Sequence, residues 1–209
     1  MTRLHLWPAL LLLSLLAGCG GRSSEAPIQE GSVDVNNPVA VMGELDTLTE
    51  KANQLAQDLE NAKPVDPVSF QELVAWLPAA PSGWEASEPE GNQFSTGEWQ
   101  VSQASRDYSQ GDTSIRILVM DSAYNPSLLA PLAMVSSFSE ESTQGYNKGI
   151  TIGTYPGLES YEFEPRSGKL TVLVSKRFLV EIEGSAIEAE ALREWWQKLD
   201  IAKLEQIAG

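Results

Sequence analysis

The N-terminal part of the chain contains one long stretch in which apolar residues recur with helical spacing. Between residues 38 and 64 they occur at alternating intervals of four and three, at Val41, Leu45, Leu48, Ala52, Leu55, Leu59 and Ala62. This heptad pattern predicts an extended amphipathic helix with one apolar seam. Pro38 fits the first helical position, and Pro64 ends the helix because proline cannot continue it.

The seam has two interpretations, which the sequence leaves open. In the first, the helix forms a short coiled coil that makes a homo-oligomer or docks on a partner helix, through Leu45, Leu48, Leu55 and Leu59. In the second, the helix packs against its own domain. About three heptads that include alanine are marginal as an isolated coiled coil, which favours packing within the chain or against a partner.

The pattern after residue 68 predicts a separate globular domain over 68–209. Ser69 and Glu72 form a capping box that begins a short helix with one apolar face. Ser185 and Glu188 form a second capping box, which predicts a helix to about Leu199. Between them, a helix over about 125–138 is expected to be kinked or to start late, because it contains a proline.

Alternation of apolar and polar residues predicts strands between these helices. They fall at 84–87, 98–108, 113–121, 146–154, 158–164, 169–175 and 178–183. Turns are predicted at 109–112 and at Tyr155-Pro156-Gly157. The grouping of helices and strands predicts an α+β fold: an antiparallel sheet of about six or seven strands covered by helices and preceded by the N-terminal amphipathic helix.

The first residues of the chain indicate export. Arg3 precedes an apolar run that is shorter than the roughly 20 residues of a membrane span, so residues 1–18 fit a signal peptide. The run ends in Leu16-Ala17-Gly18-Cys19, which resembles the signal of bacterial lipoproteins. This resemblance implies cleavage before Cys19, acylation of its sulfur, and a lipid anchor in the cell envelope. The alternative is an ordinary cleaved signal with a chance cysteine.

The residue after the cysteine bears on the membrane that holds the anchor. By the same resemblance, Gly20 lacks the aspartate that is associated with retention in the inner membrane. In a Gram-negative cell we therefore expect the outer membrane, facing the periplasm. Residues 19–37 combine the lipidated cysteine with Gly, Ser, Pro and Asn, a composition that predicts a flexible linker.

Charge and residue types exclude several function classes. The chain of 209 residues has a net charge of −15, which argues against nucleic acid as a partner. Cleavage before Cys19 also removes the chain's one histidine. The mature protein then has no Ser-His-Asp or Cys-His nucleophile and no histidine-ligated metal site. We expect no cofactor and no enzyme activity.

Two candidate sites remain, and the residues of each also have a purely structural explanation. The densest acidic set comprises Glu159, Glu162, Glu164, Glu181 and Glu183. It suits a hydrolase that uses carboxylates alone, but the alternation around Tyr161 favours the polar face of a strand. Trp196, together with Trp76 and Trp84, forms either a partly exposed aromatic patch for a partner peptide or apolar ligand, or part of the core. Core packing is the favoured alternative.

The layout of the domain also bears a family resemblance. A tryptophan after the first helix, the stretch Gly153-Thr154-Tyr155-Pro156-Gly157 and the hairpin leading into 177–184 resemble uncharacterised exported bacterial proteins, and the outline is similar to the Mog1/PsbP-like fold. That fold hosts binding and assembly roles. We therefore expect a non-catalytic envelope lipoprotein that binds another envelope protein. A small apolar-ligand carrier and a carboxylate-only hydrolase are the alternatives.

Overall fold

One antiparallel sheet organises the part of the chain that the structure describes. The structure is a computed structural model that describes residues 28–30, 50, 53–54, 57–58, 61–96, 99–125, 127–129 and 139–207. Its strands are β1 (Ile28–Glu30), β2 (Glu85–Ala86), β3 (Glu90–Thr96), β4 (Trp99–Gln110), β5 (Thr113–Asp121), β6 (Ser139–Glu141), β7 (Gly145–Ile152), β8 (Tyr155–Glu162), β9 (Ser167–Val174) and β10 (Phe178–Ser185). The helices whose bounds lie among the described residues are numbered in chain order as α1 (Phe70–Trp76), α2 (Glu190–Trp196) and α3 (Ile201–Ile207).

The strand order places the last strand in the middle of the sheet. The order is β1-β7-β8-β9-β10-β5-β4-β2, with β3 also paired to β4 and β6 to β7. β10 lies between β9 and β5, so the C-terminal strand joins the two halves of the sheet. The α+β class and the antiparallel sheet are confirmed. The sheet has ten strands rather than six or seven.

The additional strands include β3 and β6, which carry few apolar residues. All seven residues of β3 are exposed, and Phe94 is its one large apolar side chain. Both strands pair through their backbones with a longer neighbour, β4 or β7. An exposed strand has no buried face, so it leaves no alternation in the sequence to detect.

The helices and the sheet enclose the core on one face of the sheet, which we call the covered face. The register aligns Leu170, Ile182 and Ile117 across β9, β10 and β5, and all three are fully buried. α2 contacts β9 and β10, while α1 contacts β3 and β4. The other face, the open face, carries the alternate residues of the same strands.

Two glycines allow α2 to approach the covered face closely. Gly168 of β9 and Gly184 of β10 are register partners. A Cβ atom at Gly168 would lie 2.9 Å from Leu192 Cδ1, and one at Gly184 would collide with Ile187. Residues without a side chain are therefore required where the α2 region rests on these two strands.

One of the two predicted helix starts is confirmed and the other is wrong. Ser69 caps α1, and its capping box with Glu72 is present. Ser185 instead ends β10, where it pairs with neighbouring strands on both sides. The chain then turns at Ala186, which has a φ of 54°, and α2 begins at Glu190 without a side-chain cap.

The predicted turn at Tyr155-Pro156-Gly157 is also wrong, because these residues begin β8. The β7–β8 turn lies at Gly153 and Thr154, and Gly153 has a φ of 63°. The predicted hairpin at 109–112 is confirmed, with its turn at Gly111 and Asp112. Proline and glycine at a strand start gave a misleading turn signal.

Several N-terminal predictions lie outside the described residues. These are the signal peptide, Cys19, most of the helix over 125–138, and the seam positions Leu45, Leu48, Leu55 and Leu59. Some polar positions between residues 50 and 61 are described, and they are helical. Within the predicted linker, β1 is a strand that pairs with β7.

A buried ion pair connects the domain to the chain that leads into it. Arg177 Nε and Nη2 donate to Asp121 Oδ1 and Oδ2 at 2.8 and 2.7 Å, and both side chains are buried. Asp121 also accepts hydrogen bonds at 2.8 Å from the backbone N–H groups of Val68 and Ala123. Arg177 donates to the backbone oxygen of Asp66 at 3.3 Å. One carboxylate thus joins β5, β10 and residues 66–68, the lead-in segment.

We expect Asp121→Asn to lower the free energy of unfolding by about 3 kcal/mol, because it leaves a buried guanidinium without its charge partner. The matched control is Asp107→Asn, which breaks an ion pair to Arg116 whose side chains are 58% and 42% exposed. That control is expected to cost less than about 1 kcal/mol. Urea unfolding measures both. Equal losses would contradict a special role for the buried pair.

Candidate functional site

The main concave surface among the described residues lies on the open face. Its floor is one row of side chains, Asn147, Ser160, Lys169 and Glu183, which are register neighbours on β7, β8, β9 and β10. The β6–β7 loop and the β8–β9 turn line it at one end of the sheet, where Phe163 N–H donates to Gln144 O at 2.9 Å, and its volume is about 1110 Å³. We call this surface the acidic groove. It is open to solvent along its length, so it suits an elongated ligand better than an enclosed small molecule.

Negative charge in the acidic groove exceeds positive charge. Lys169 Nζ forms ion pairs with Glu181, at 3.2 Å, and with Glu183. Burial lowers the pKa of Lys169, but its hydrogen bonds to these two glutamates outweigh burial and raise the pKa overall. Glu140, Glu162 and Glu164 also line the groove; they are exposed and make no ion pair with a described residue. The uncompensated charge is therefore carboxylate.

An aromatic cluster lies at the β8–β9 turn on the covered-face side of the sheet, because Tyr146 and Tyr161 are register partners whose hydroxyls bond Glu159 and Ile187. The ring centroid of Phe163 lies 6.0 Å from that of Tyr161 and 6.4 Å from that of Tyr146. Tyr161 is held in place because its hydroxyl donates to the backbone oxygen of Ile187 at 2.7 Å. Phe163 remains 42% exposed. The cluster thus presents one accessible ring on a fixed support.

The floor of the groove contains an unsatisfied acceptor. Asn147 Oδ1 is buried and has no hydrogen-bond donor among the described residues. Most buried polar side-chain atoms in folded proteins have a partner, and leaving one without costs about 1–3 kcal/mol.

A buried carboxylate supports the groove from the covered face. Glu159 is 2% exposed, and it accepts hydrogen bonds at 2.7 Å from Arg193 Nε and from the Tyr146 hydroxyl. Lys148 Nζ lies 3.8 Å from the same carboxylate. Arg193 belongs to α2, so this network fixes α2 against β7 and β8. Its geometry is that of a structural ion pair.

The five glutamates of the predicted acidic set therefore do not form one site. Glu159 lies on the covered face, whereas Glu181 and Glu183 bind Lys169 on the open face. Glu162 and Glu164 are exposed at the end of β8 and in the following turn. The expectation of a polar strand face, which concerned the residues that alternate with Tyr161, fits the exposed Glu162. Glu159 lies on the other face, and its partner Arg193 comes from a distant helix.

Burial also alters the tyrosines around the core. Burial raises the pKa of Tyr108 to about 12, although the nearby Arg106 opposes the shift. The Tyr108 hydroxyl donates to the backbone oxygen of Pro78 at 2.7 Å. Burial, and next the hydrogen bond to Glu159, raise the pKa of Tyr146 as well. Both phenols are therefore held in their protonated form well above neutral pH.

The proposed aromatic patch of tryptophans is not formed, and core packing is the alternative that burial supports. Trp76 and Trp196 are 4% and 7% exposed. Trp76 Nε1 donates to the backbone oxygen of Asp200 at 2.7 Å, so its polar atom is satisfied inside the domain. Trp84 packs edge-on against Trp195, with ring centroids 4.9 Å apart. These rings fill the space between the helices and the sheet.

The described ranges contain neither a metal-binding cluster nor a membrane-spanning helix. There, no group of three or more His, Cys, Asp or Glu side chains is arranged to hold a metal ion. No helix in that part of the chain is long and apolar enough to cross a membrane. Comparison of the chain with protein-family models, with curated proteins and with solved structures found no match.

Stability at alkaline pH should depend on Tyr108. Its folded pKa of about 12 exceeds the unfolded value of about 10, so the folded state binds more protons between those values. The stabilisation is complete below pH 10 and is lost as the pH rises towards 12. We expect the urea midpoint to fall less steeply over this range in Tyr108→Phe than in the wild type. Parallel curves would contradict the assignment.

Proposed function

We propose that the chain is a non-catalytic, lipid-anchored envelope protein whose domain binds another envelope protein. The observation that carries the proposal is the acidic groove, an open concave surface lined by exposed carboxylates that make no ion pair with a described residue. A groove of this form exposes side chains along a sheet face, as a protein-binding surface requires. The lipoprotein-like sequence Leu16-Ala17-Gly18-Cys19 supplies the anchor.

The filled core favours this proposal over a carrier of small apolar ligands. Such a carrier needs an enclosed, mostly apolar cavity of about 300 Å³ or more. The natural place for it is the space between the helices and the sheet, but Leu73, Ile182 and Leu192 are fully buried there. The Tyr108 and Trp195 rings also meet in that space, with centroids 4.8 Å apart.

The separation of the carboxylates counts against a carboxylate-only hydrolase. Such chemistry needs two carboxyl groups that face each other across one cleft. Glu159 is enclosed by Arg193 and Tyr146 on the covered face, and Glu183 is bound to Lys169 on the open face.

The anchor is tested by the Cys19→Ala variant. We expect cells fed an alkyne analogue of palmitate to label the wild type and not Cys19→Ala, because the sulfur is the acylated atom. Ser23→Ala, four residues downstream, is the matched control and should label like the wild type. In-gel fluorescence after coupling to an azide dye measures labelling. A labelled Cys19→Ala protein would overturn the proposed anchor.

Binding is tested by crosslinking the intact protein in its native cells, followed by mass spectrometry. We expect a discrete crosslink to one envelope protein. The variant Leu48→Asp/Leu55→Asp tests whether the heptad seam is the binding element. Its control is Asn53→Asp/Gln57→Asp, which adds the same charge at exposed helical positions.

If the crosslink is lost in the seam variant but kept in its control, the helix is the binding element. The crosslink then joins either two copies of this chain or the chain and a partner. Persistence in both variants assigns binding to the globular domain. The absence of any discrete crosslink from the wild type would overturn the proposed function and favour the carrier alternative.

A further inference from the structure

The described positions of the predicted N-terminal helix show which of its sides is turned to solvent. A helical wheel places most of them on the side opposite the heptad seam. Asp58 is the described helical position nearest to the seam, and its side chain is 31% exposed. The positions on the opposite side are all helical and exposed: Glu50, Asn53, Gln54, Gln57 and Asn61.

An ion pair joins this helix to the domain. Lys176, in the turn between β9 and β10, donates from Nζ to Asp58 Oδ2. A few residues further along the chain, Val65 N–H donates to the backbone oxygen of Ala123 at 3.2 Å. Ala62, the last residue of the seam, is half-buried between these two contacts. The seam side of the helix end is therefore turned towards the domain, at the end of the sheet that holds the lead-in segment.

The open face carries an apolar surface at the same end of the sheet. The register aligns Met120 of β5, Leu179 of β10 and Leu173 of β9 in one row, which we call the apolar row. These residues alternate with those of the covered face, so their side chains point away from α1, α2 and α3. Met120 and Leu179 are half-buried, whereas Leu173 is 1% exposed. A part of the chain other than these three helices therefore covers Leu173.

Two segments of the chain and a second copy of it are the candidates for this cover. The helix end with its apolar seam is held beside the β9–β10 turn by the contact of Asp58 with Lys176. The segment that follows β5 contains Leu129, which is fully buried. A second copy is a poor occupant, because each chain carries a net charge of −15 and two copies repel. The ion pair and the outward polar side of the helix favour the seam.

We propose that the heptad seam of residues 38–64 docks on the apolar row of its own domain. Leu55, one helical turn before Asp58, and Leu59, directly after it, supply the apolar side chains that cover Leu173. The seam is then occupied within the chain and is not free to form a coiled coil. A partner that binds the seam or the apolar row has to displace the helix first. The inference does not depend on the proposed protein-binding function.

Labelling of an engineered cysteine tests whether the seam covers the apolar row. Leu173→Cys is introduced into the mature protein in neutral detergent micelles, and mass spectrometry follows the reaction of its peptide with a maleimide. We expect Leu55→Asp/Leu59→Asp to raise the labelling rate at least about 10-fold, because carboxylates in the seam favour the undocked helix. Asn53→Asp/Gln57→Asp adds the same charge on the solvent side and should change the rate less than about 2-fold.

A second cysteine and a charge reversal keep the test independent of unfolding. Val172→Cys lies next to Leu173 but on the covered face, where it is fully buried, so it should stay protected in every variant whose domain is folded. Asp58→Lys or Lys176→Asp alone places like charges together and should raise the labelling of Leu173→Cys about 2- to 5-fold. The double variant Asp58→Lys/Lys176→Asp restores opposite charges and should label like its parent.

Unchanged protection of Leu173→Cys in the seam variant would overturn the proposal, because the segment after β5 would then be the cover. Protection that disappears when the unaltered seam protein is diluted would also overturn it and assign the cover to a second copy. If the seam variant unfolds the domain and exposes Val172→Cys as well, the charge reversal decides, and a double variant without rescue contradicts docking. Crosslinking in cells tests the proposed function separately, since a partner can bind the domain whether or not the helix is docked.

Discussion

The ion pair between Asp121 and Arg177 is the interaction on which the arrangement of the domain depends. Asp121 ends β5 and Arg177 precedes β10, so the pair fixes the strand that joins the two halves of the sheet. The same carboxylate binds the backbone of the lead-in segment at Val68. Since each buried charge would be costly without the other, the pair also holds the chain that leads into the domain at this end of the sheet.

Successive side chains of the central strands point to opposite faces of the sheet. Carboxylates that stabilise the fold therefore lie on one face, and carboxylates exposed to solvent lie on the other. Glu159 of β8 faces the helices and is satisfied by Arg193 and Tyr146, whereas its neighbour Ser160 faces the acidic groove. The covered face thus uses its carboxylate to attach α2. The open face has carboxylates at its rim that form no ion pair with a described residue. One strand therefore stabilises the fold and shapes a surface without conflict between the two roles.

Sequence patterns predicted the elements that are defined by local contacts. The Ser69 capping box and the turn at Gly111 depend on residues within a few positions of each other, and both are present. The second capping box was wrong because Ser185 is paired on both sides by distant strands, which override a local signal. The groove was missed for the same reason. Only the register of four strands aligns Asn147, Lys169 and Glu183 in one row, and the sequence showed Glu183 merely as one member of an acidic set.

The position of the acidic groove follows from where the chain enters the sheet. Arg177, at the start of β10, holds the lead-in segment, while Glu183 of the groove lies six residues further along the same strand. At about 3.3 Å per residue, these two points are about 20 Å apart. The end of the sheet that is attached to the N-terminal region is therefore opposite the end that bears the groove. A chain held through its N-terminal region would therefore present the acidic groove at the far end of the sheet.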